Sequence, residues 1–169
     1  MLHNLAKGNM MKIKGEAIGS PSEQVVVFTR GDRDIVIKAR PLLKEDYDLF
    51  DKMVPEPKPG TIRKPNQKPV LDFESKGYLA KLEKYAEKRT SWMMIRSLSA
   101  TPDIEWEQVD MSDPATWHLY EKELTDSGFS MLERGRIMEI IITACGLDCE
   151  KIEEATQAFL ATQDQAQEE

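Results

Sequence analysis

The first regular pattern of apolar positions along the chain is a pair of β-branched runs. Residues 24–29 read Gln-Val-Val-Val-Phe-Thr, residues 34–39 read Asp-Ile-Val-Ile-Lys-Ala, and a four-residue stretch that includes Gly31 separates them. Runs of this composition favour β-strands, and glycine readily adopts the positive φ of a tight turn. The pattern therefore predicts a β-hairpin. Because two strands alone are marginally stable in water, we expect helices to cover one face of it.

Apolar positions then recur with helical spacing in two stretches. A short helix is predicted over 41–53, where Pro41 suits a first turn and apolar residues follow at intervals of three or four. The longest helix is predicted over 73–98, with charged residues on its other face. The apolar stripes of the two helices consist of Leu43, Tyr47, Phe50 and Val54, and of Tyr78, Leu82, Tyr85, Trp92 and Ile95.

Residues 55–72, between these helices, carry five of the nine prolines in the chain. Because proline lacks an N–H and disfavours the helical conformation in the residue before it, this stretch is predicted to be an extended, polyproline-like connector. The predicted organisation is a flexible N-terminal segment (1–23), a hairpin plus short helix (24–54), the connector (55–72), a helical domain (73–161) and a disordered tail (162–169).

The periodic pattern of apolar residues breaks after the longest predicted helix, and a new helix is predicted to begin a few residues later. Residues 101–109 follow neither a helical nor a strand period and are predicted to form a loop. Asp113 before Pro114 is typical of an N-cap followed by the first helical residue, so a helix is predicted to begin there. Gly128 is placed to end that helix.

Two more helices are predicted towards the C-terminus. Ser130 with Glu133 three residues later forms the sequence of a capping box, and Gly146 is suited to end the helix that it starts. Asp148 is expected to cap a final helix. The predicted fold class is α+β, mainly α, with an N-terminal β-hairpin followed by a bundle of about four to five helices.

Composition and charge narrow the class of protein. The chain has 169 residues, a net charge of −7, two cysteines and no apolar run of the roughly 20 residues that a membrane span needs. We expect a cytosolic protein without a secretory signal, a disulfide framework or a membrane partner. The charge is uneven, because residues 52–98 carry +6 whereas residues 99–169 carry −13.

Candidate catalytic and metal-binding residues are few. His3, His118, Cys145 and Cys149 are too scattered to form a zinc site, and two histidines offer few general bases. No glycine-rich loop of the kind that cradles phosphates is present in the sequence. We therefore expect a protein that is not an enzyme and needs no cofactor or metal.

The sequence resembles the tail assembly chaperones of tailed bacteriophages. The resemblance covers about residues 25–160 and depends on the order of elements more than on single residues. The segments that carry it are Ile95-Arg96-Ser97-Leu98, Ile104-Glu105-Trp106-Glu107-Gln108-Val109, Pro114-Ala115-Thr116-Trp117, Leu124, Gly128-Phe129-Ser130 with Glu133, Gly146-Leu147, Ile152-Glu153-Glu154-Ala155 and Phe159-Leu160.

This resemblance implies a small, acidic, mainly helical protein of the host cell cytoplasm that covers an aggregation-prone tape-measure protein. Tail tube subunits then replace the chaperone, which is absent from the mature virion. A longer form made by ribosomal frameshifting is a further implication of the resemblance. Self-association is a separate candidate interaction of the chain. Because contact surfaces use tryptophan anchors, Trp106, Trp117 and Trp92 are candidate partner-binding residues, with a role in the protein's own core as the alternative for each.

A second class of function remains open from the residues. In this alternative, the chain is a small cytosolic adaptor or regulatory domain, and the basic segment 52–98 is its candidate site for nucleic acid. The tyrosines and the tryptophan of that segment are predicted on its apolar stripe, and the acidic C-terminal part repels phosphate. These two features disfavour nucleic acid as the partner.

Overall fold

The computed structural model describes residues 12–17, 23–66, 68–147, 150 and 152–158. Its first strands, β1 (Lys12–Ile13) and β2 (Glu16–Ala17), form a small antiparallel pair inside the segment that was expected to be flexible. The predicted disordered tail, 162–169, and the remainder of residues 1–22 lie outside the described residues.

The predicted β-hairpin is confirmed. Strands β3 (Gln24–Arg30) and β4 (Arg33–Ala39) pair antiparallel, with Val27 opposite Val36, and Gly31 in the connecting turn has a φ of +59°. Side chains of one face pack on the helices, as a two-stranded sheet requires. The residues of this inner face are Val26, Phe28, Ile35 and Ile37.

Helix α1 (Lys44–Met53) begins three residues later than the sequence pattern predicted. The main-chain N–H of Leu43 donates to the carboxylate of Asp46 at 3.0 Å, and this contact fixes the helix start. Pro41 therefore lies in the extended segment before the helix, and its assignment to the first turn was wrong.

The proline-rich segment contains more structure than a uniform extended connector. Strands β5 (Gly60–Ile62) and β6 (Val70–Asp72) pair antiparallel within it. Helix α2 (Lys76–Leu98) follows and is the longest of the described helices, as predicted. It begins after Ser75, whose side chain accepts the N–H of Tyr78 at 3.3 Å, rather than at residue 73.

The predicted loop over 101–109 is confirmed, but the helix expected from Asp113 starts later. A 3-10 helix (Trp117–Leu119) leads directly into α3 (Tyr120–Asp126). The carboxylate of Asp113 accepts the N–H of Ala115 at 2.9 Å and so closes a turn instead of capping a helix.

The capping box of helix α4 (Met131–Ala144) is confirmed, since Ser130 and Glu133 each accept the other's main-chain N–H. Gly128 and Gly146 have φ values of +88° and +68°, which fits their predicted places after helix ends. The predicted start of the last helix at Asp148 lies outside the described residues. Residues 150 and 152–158 are helical, and we call them the C-terminal helix.

One core joins the inner face of the hairpin to the helices, which confirms an α+β, mainly α fold. Its centre is aromatic: the rings of Trp92 and Trp117 lie 4.8 Å apart, and Phe50 lies within 6.4 Å of both. The most deeply buried large residues are Phe50, Trp92, Ile95, Leu98, Trp117, Ile137 and Ile141.

Among the described residues, no helix has the length and apolarity that crossing a bilayer requires.

Candidate partner-binding surfaces

Asp46 is a buried acidic side chain with several hydrogen-bond partners, and it is only 4% exposed. Nη1 and Nη2 of Arg40 each donate to the Asp46 carboxylate at 2.8 Å, and Nε of Arg96 donates to it at 2.7 Å. Hydrogen bonds from Arg40, helped by the main-chain N–H of Leu43 and by Arg96, hold the pKa of Asp46 far below its usual value. The carboxylate therefore joins three parts of the fold: Arg40 at the end of β4, helix α1 and helix α2.

A second acidic side chain, Glu123 of α3, orders the loop over 101–109. Its carboxylate accepts the main-chain N–H groups of Glu107 at 3.0 Å, of Gln108, and of Val109 at 2.9 Å. Because a carboxylate that binds several N–H groups is held tightly, this loop is fixed to the helical part. This role could not be predicted from the sequence, since Glu123 lies in an ordinary amphipathic pattern.

The capping residue Glu133 also ties α4 to the hairpin. Nη1 and Nη2 of Arg30 donate to its two carboxylate oxygens at 2.6 and 2.8 Å, and Nη2 also donates to the carbonyl oxygen of Gly128 at 3.0 Å. The bond from Arg30, followed by the N–H of Ser130, lowers the pKa of Glu133 to about 2. The capping box was predictable from the sequence, but the hydrogen bonds from Arg30 to Glu133 were not.

The structure places the three candidate tryptophans differently. Trp92 and Trp117 are buried at 1% and 0% exposure. Their Nε1 atoms donate to the carbonyl oxygens of Asp46 and Asp110, each at 3.1 Å. In this conformation neither ring is accessible to a partner, and both serve the core, the alternative that the sequence left open. Trp106 lies on the ordered loop and is half-buried against the core.

Two of the residues considered for metal binding and catalysis, His118 and Cys145, lie in the described part of the chain. Among the described residues there is no group of three or more histidine, cysteine, aspartate or glutamate side chains placed to hold a metal ion. His118 lines an open cleft beside α2, and Cys145 is half-buried at the end of α4. His3 and Cys149 lie outside the described residues.

Two exposed apolar surfaces stand out. The first, which we call the valine face, is the outer face of the hairpin, where Val25, Val27 and Val36 are 52%, 51% and 41% exposed. The second, the methionine surface, consists of Met131, Leu132 and Met138 on α4, with exposures of 76%, 79% and 40%. Contiguous apolar groups on a protein surface are typical of contact sites for other macromolecules.

The methionine surface borders a cleft of about 170 Å³ between α2, α3 and α4. Nε of Arg134 is buried beside it and has no hydrogen-bond partner in the described part of the chain. Methionine side chains adapt their shape to different apolar surfaces, and an unpaired guanidinium nitrogen can donate to a partner's oxygen. The residues that line the cleft are Met94, Tyr120, Glu121, Leu124, Met131, Arg134, Gly135 and Met138.

A third surface combines apolar and basic groups. A cleft of about 360 Å³ runs between the chain after α1 and the N-terminal half of α2, and we call it the lysine groove. Its floor is apolar and three lysines lie along it. The residues that line it are Val54, Pro55, Glu56, Pro57, Lys81, Lys84, Tyr85 and Lys88.

Comparison with known proteins adds no family: no family model, curated protein or solved structure matches the chain. Three surfaces of the molecule therefore remain as indications of function: the valine face, the methionine surface and the lysine groove. Each of these surfaces is suited to binding another macromolecule.

Proposed function

We propose that this protein is a tail assembly chaperone of a tailed bacteriophage, which binds apolar helices of the tape-measure protein and keeps them soluble. The proposed setting is the host cell cytoplasm, with the tail tube protein as a second partner and no place for the chaperone in the mature virion. The resemblance over residues 25–160 supports this assignment. Because no known protein matches, the exposed apolar surfaces are the main structural argument.

The methionine surface is the observation that carries the proposal. Met131 and Leu132 lie in the first turn of α4 and are more than three quarters exposed, so they contribute little to the protein's own core. Leaving such side chains in water is costly unless a partner covers them, at roughly 25 cal/mol per Å² of apolar area. Amphipathic helices dock on surfaces of this kind through residues spaced three or four apart.

The test is coexpression with a tape-measure protein from the same genome. We expect the native chain to raise the soluble fraction of that protein, and the double substitution Met131→Ser and Leu132→Ser to abolish this gain. Because both side chains are mostly in water already, the variant should keep the native circular dichroism spectrum and urea midpoint.

Leu79→Ser is the matched control, since Leu79 is 50% exposed on α2 and distant in sequence from the methionine surface. This variant should solubilise the tape-measure protein as well as the native chain does. Equal solubility of the tape-measure protein with and without the native chain would contradict the proposal.

The second candidate function, binding of nucleic acid through the segment 52–98, is favoured by one observation. Lys81, Lys84 and Lys88 lie together in the lysine groove beside Tyr85. However, the Tyr85 ring already packs edge-on against Phe50, with centroids 5.4 Å apart. A salt-sensitive shift of labelled single-stranded DNA that is lost in a Lys81→Gln, Lys84→Gln and Lys88→Gln variant would favour this function instead.

A further inference from the structure

The lysine groove is strongly basic on one side of α2. Together with the adjoining cleft, its charged lining consists of five basic and two acidic side chains. These groups are Lys58, Lys81, Lys84, Lys88 and Arg89, with Asp51 and Glu56 as the acids. A cleft lined by one sign of charge attracts a partner of the opposite sign.

The opposite side of the same helix has the opposite character. Glu83 and Glu87 of α2 line a cleft of about 660 Å³ together with Glu121 and His118. No lysine or arginine among the described residues lines that cleft. The basic character is therefore a property of the lysine groove and not of α2 as a whole.

The chain itself contains a segment of complementary chemistry in the C-terminal helix. All of its described side chains are exposed, including Ile152 at 56%. Glu150, Glu153 and Glu154 give it three negative charges, against a single lysine at position 151 in the sequence. With 100° between successive residues, Glu150, Glu153 and Glu154 lie together on one face of the helix, and Ile152 and Ala155 lie on the opposite face.

We propose that the lysine groove of one molecule binds the C-terminal helix of a second copy. The face that carries Glu150, Glu153 and Glu154 would lie in the groove, where the glutamates pair with the lysines, and Ile152 and Ala155 would face away from it. This self-association goes beyond the proposed chaperone function and does not depend on it.

The dimensions of the two parts agree. Lys81 to Lys88 spans seven residues of helix, or about 10 Å, and the described stretch 152–158 is about 9 Å long. A helix lying along the groove would therefore bring Glu150, Glu153 and Glu154 within reach of all three lysines. Within the described residues, the C-terminal helix does not occupy the groove of its own chain, so both surfaces are open to another molecule.

The experiment uses the full-length chain and two charge-reversed variants. One variant combines Lys81→Glu, Lys84→Glu and Lys88→Glu, and the other combines Glu150→Lys, Glu153→Lys and Glu154→Lys. Sedimentation velocity up to about 100 µM should show concentration-dependent association of the native chain that weakens with added salt. Each variant alone should associate at least about tenfold more weakly, and an equimolar mixture of the two should restore association.

The matched control reverses charges on the other side of α2 through Glu83→Lys and Glu87→Lys, and it should associate as the native chain does. Circular dichroism and urea unfolding establish that every variant is folded. A native chain that stays monomeric up to about 100 µM would overturn the proposal. Charge-reversed variants that each associate as strongly as the native chain would also overturn it. Binding of a labelled single-stranded oligonucleotide by a monomeric native chain, lost on reversing the lysines, would assign the groove to nucleic acid and also overturn it.

Discussion

At the scale of single residues, the acidic side chains with the most partners hold the fold together. Asp46 and Glu123 each accept hydrogen bonds from two or more groups in other elements or segments, and Glu133 accepts them from Arg30 and from its own helix cap, Ser130. Charge-assisted bonds of this kind are about twice as strong as neutral ones. These three carboxylates therefore connect the helices to the hairpin and to the loop over 101–109.

Replacing Asp46 tests this role directly. Asp46→Asn removes the negative charge that Arg40 and Arg96 share and leaves both guanidinium groups without an ionic partner. We expect the free energy of unfolding to fall by about 2–3 kcal/mol, as measured by urea denaturation at neutral pH. Asp48→Asn, at an exposed position paired only with Lys44, should change it by less than about 0.5 kcal/mol. Equal effects of the two substitutions would contradict the assignment.

The same carboxylates predict how stability depends on pH. Glu133 and Asp46 have pKa values in the folded state below their ordinary values of 4.5 and 3.8, because Arg30 and Arg40 respectively donate to them. A lowered folded-state pKa stabilises the protein above the unfolded-state value, and this stabilisation is lost as the pH falls. We expect urea midpoints to decrease between about pH 4.5 and pH 2, and to decrease less in Asp46→Asn. A midpoint constant over that range would exclude both contributions.

Of these interactions, only those between residues close in sequence were predictable. The bond between Ser130 and Glu133 was predictable because a capping box spans three residues. The bond from Arg30 to Glu133 was not, because the two residues are 103 positions apart and only the fold brings them together. For the same reason, Asp46 gave no sign of its arginine partners.

At the scale of elements, the hairpin depends on a side chain from outside it. Thr101 follows α2, is 8% exposed, and bonds both main-chain polar groups of Lys38 in β4. Its Oγ1 accepts the N–H at 2.9 Å and donates to the carbonyl oxygen at 3.0 Å. A strand edge whose N–H and C=O groups are satisfied in this way is closed to further pairing at that position.

Removing that hydroxyl should weaken the attachment of the hairpin. Thr101→Val keeps the shape of the side chain but leaves the N–H and C=O of Lys38 without partners. We expect a loss of about 2 kcal/mol in the free energy of unfolding, measured by urea denaturation. Thr61→Val, at an exposed position in β5, is the control and should have an effect below about 0.5 kcal/mol. A Thr101 variant as stable as the control would show that this edge contact is dispensable.

Element types were easier to predict than element ends. The hairpin and α2 follow from β-branched runs and from a long helical stripe, which tertiary contacts reinforce. The start of α1 moved to Lys44 because the Asp46 carboxylate fixes Leu43, and the pairing of β5 with β6 was missed because its strands have only three residues each. Short strands have too few positions to show a period of two.

At the scale of the whole molecule, α2 has two parts with different surroundings. Residues 91–98 lie in the core, where Trp92, Met94, Ile95 and Leu98 are at most 2% exposed. Residues 76–90 extend along the lysine groove with no buried side chain. A continuous helix therefore joins the core to a surface that is open to a partner.

This division predicts unequal local stability along one helix. In hydrogen-exchange mass spectrometry, main-chain amides of residues 92–98 should exchange about 100-fold more slowly than those of residues 80–86, because the former open only when the core opens. If the lysine groove binds a second copy, protection of residues 80–86 should increase with protein concentration. Uniform protection along α2 in dilute solution would contradict the division.

The sequence by itself determined the hairpin, the long helix, the capping box and the glycine helix ends, because each depends on residues within one or two turns of one another. It also fixed the opposite charges of residues 52–98 and 99–169. Only the tertiary structure decided that Trp92 and Trp117 are core residues, that Asp46 and Glu123 are structural, and which apolar side chains remain exposed. The physical reason is that burial and ion pairing depend on groups distant in sequence, whose approach is set by packing of the whole chain.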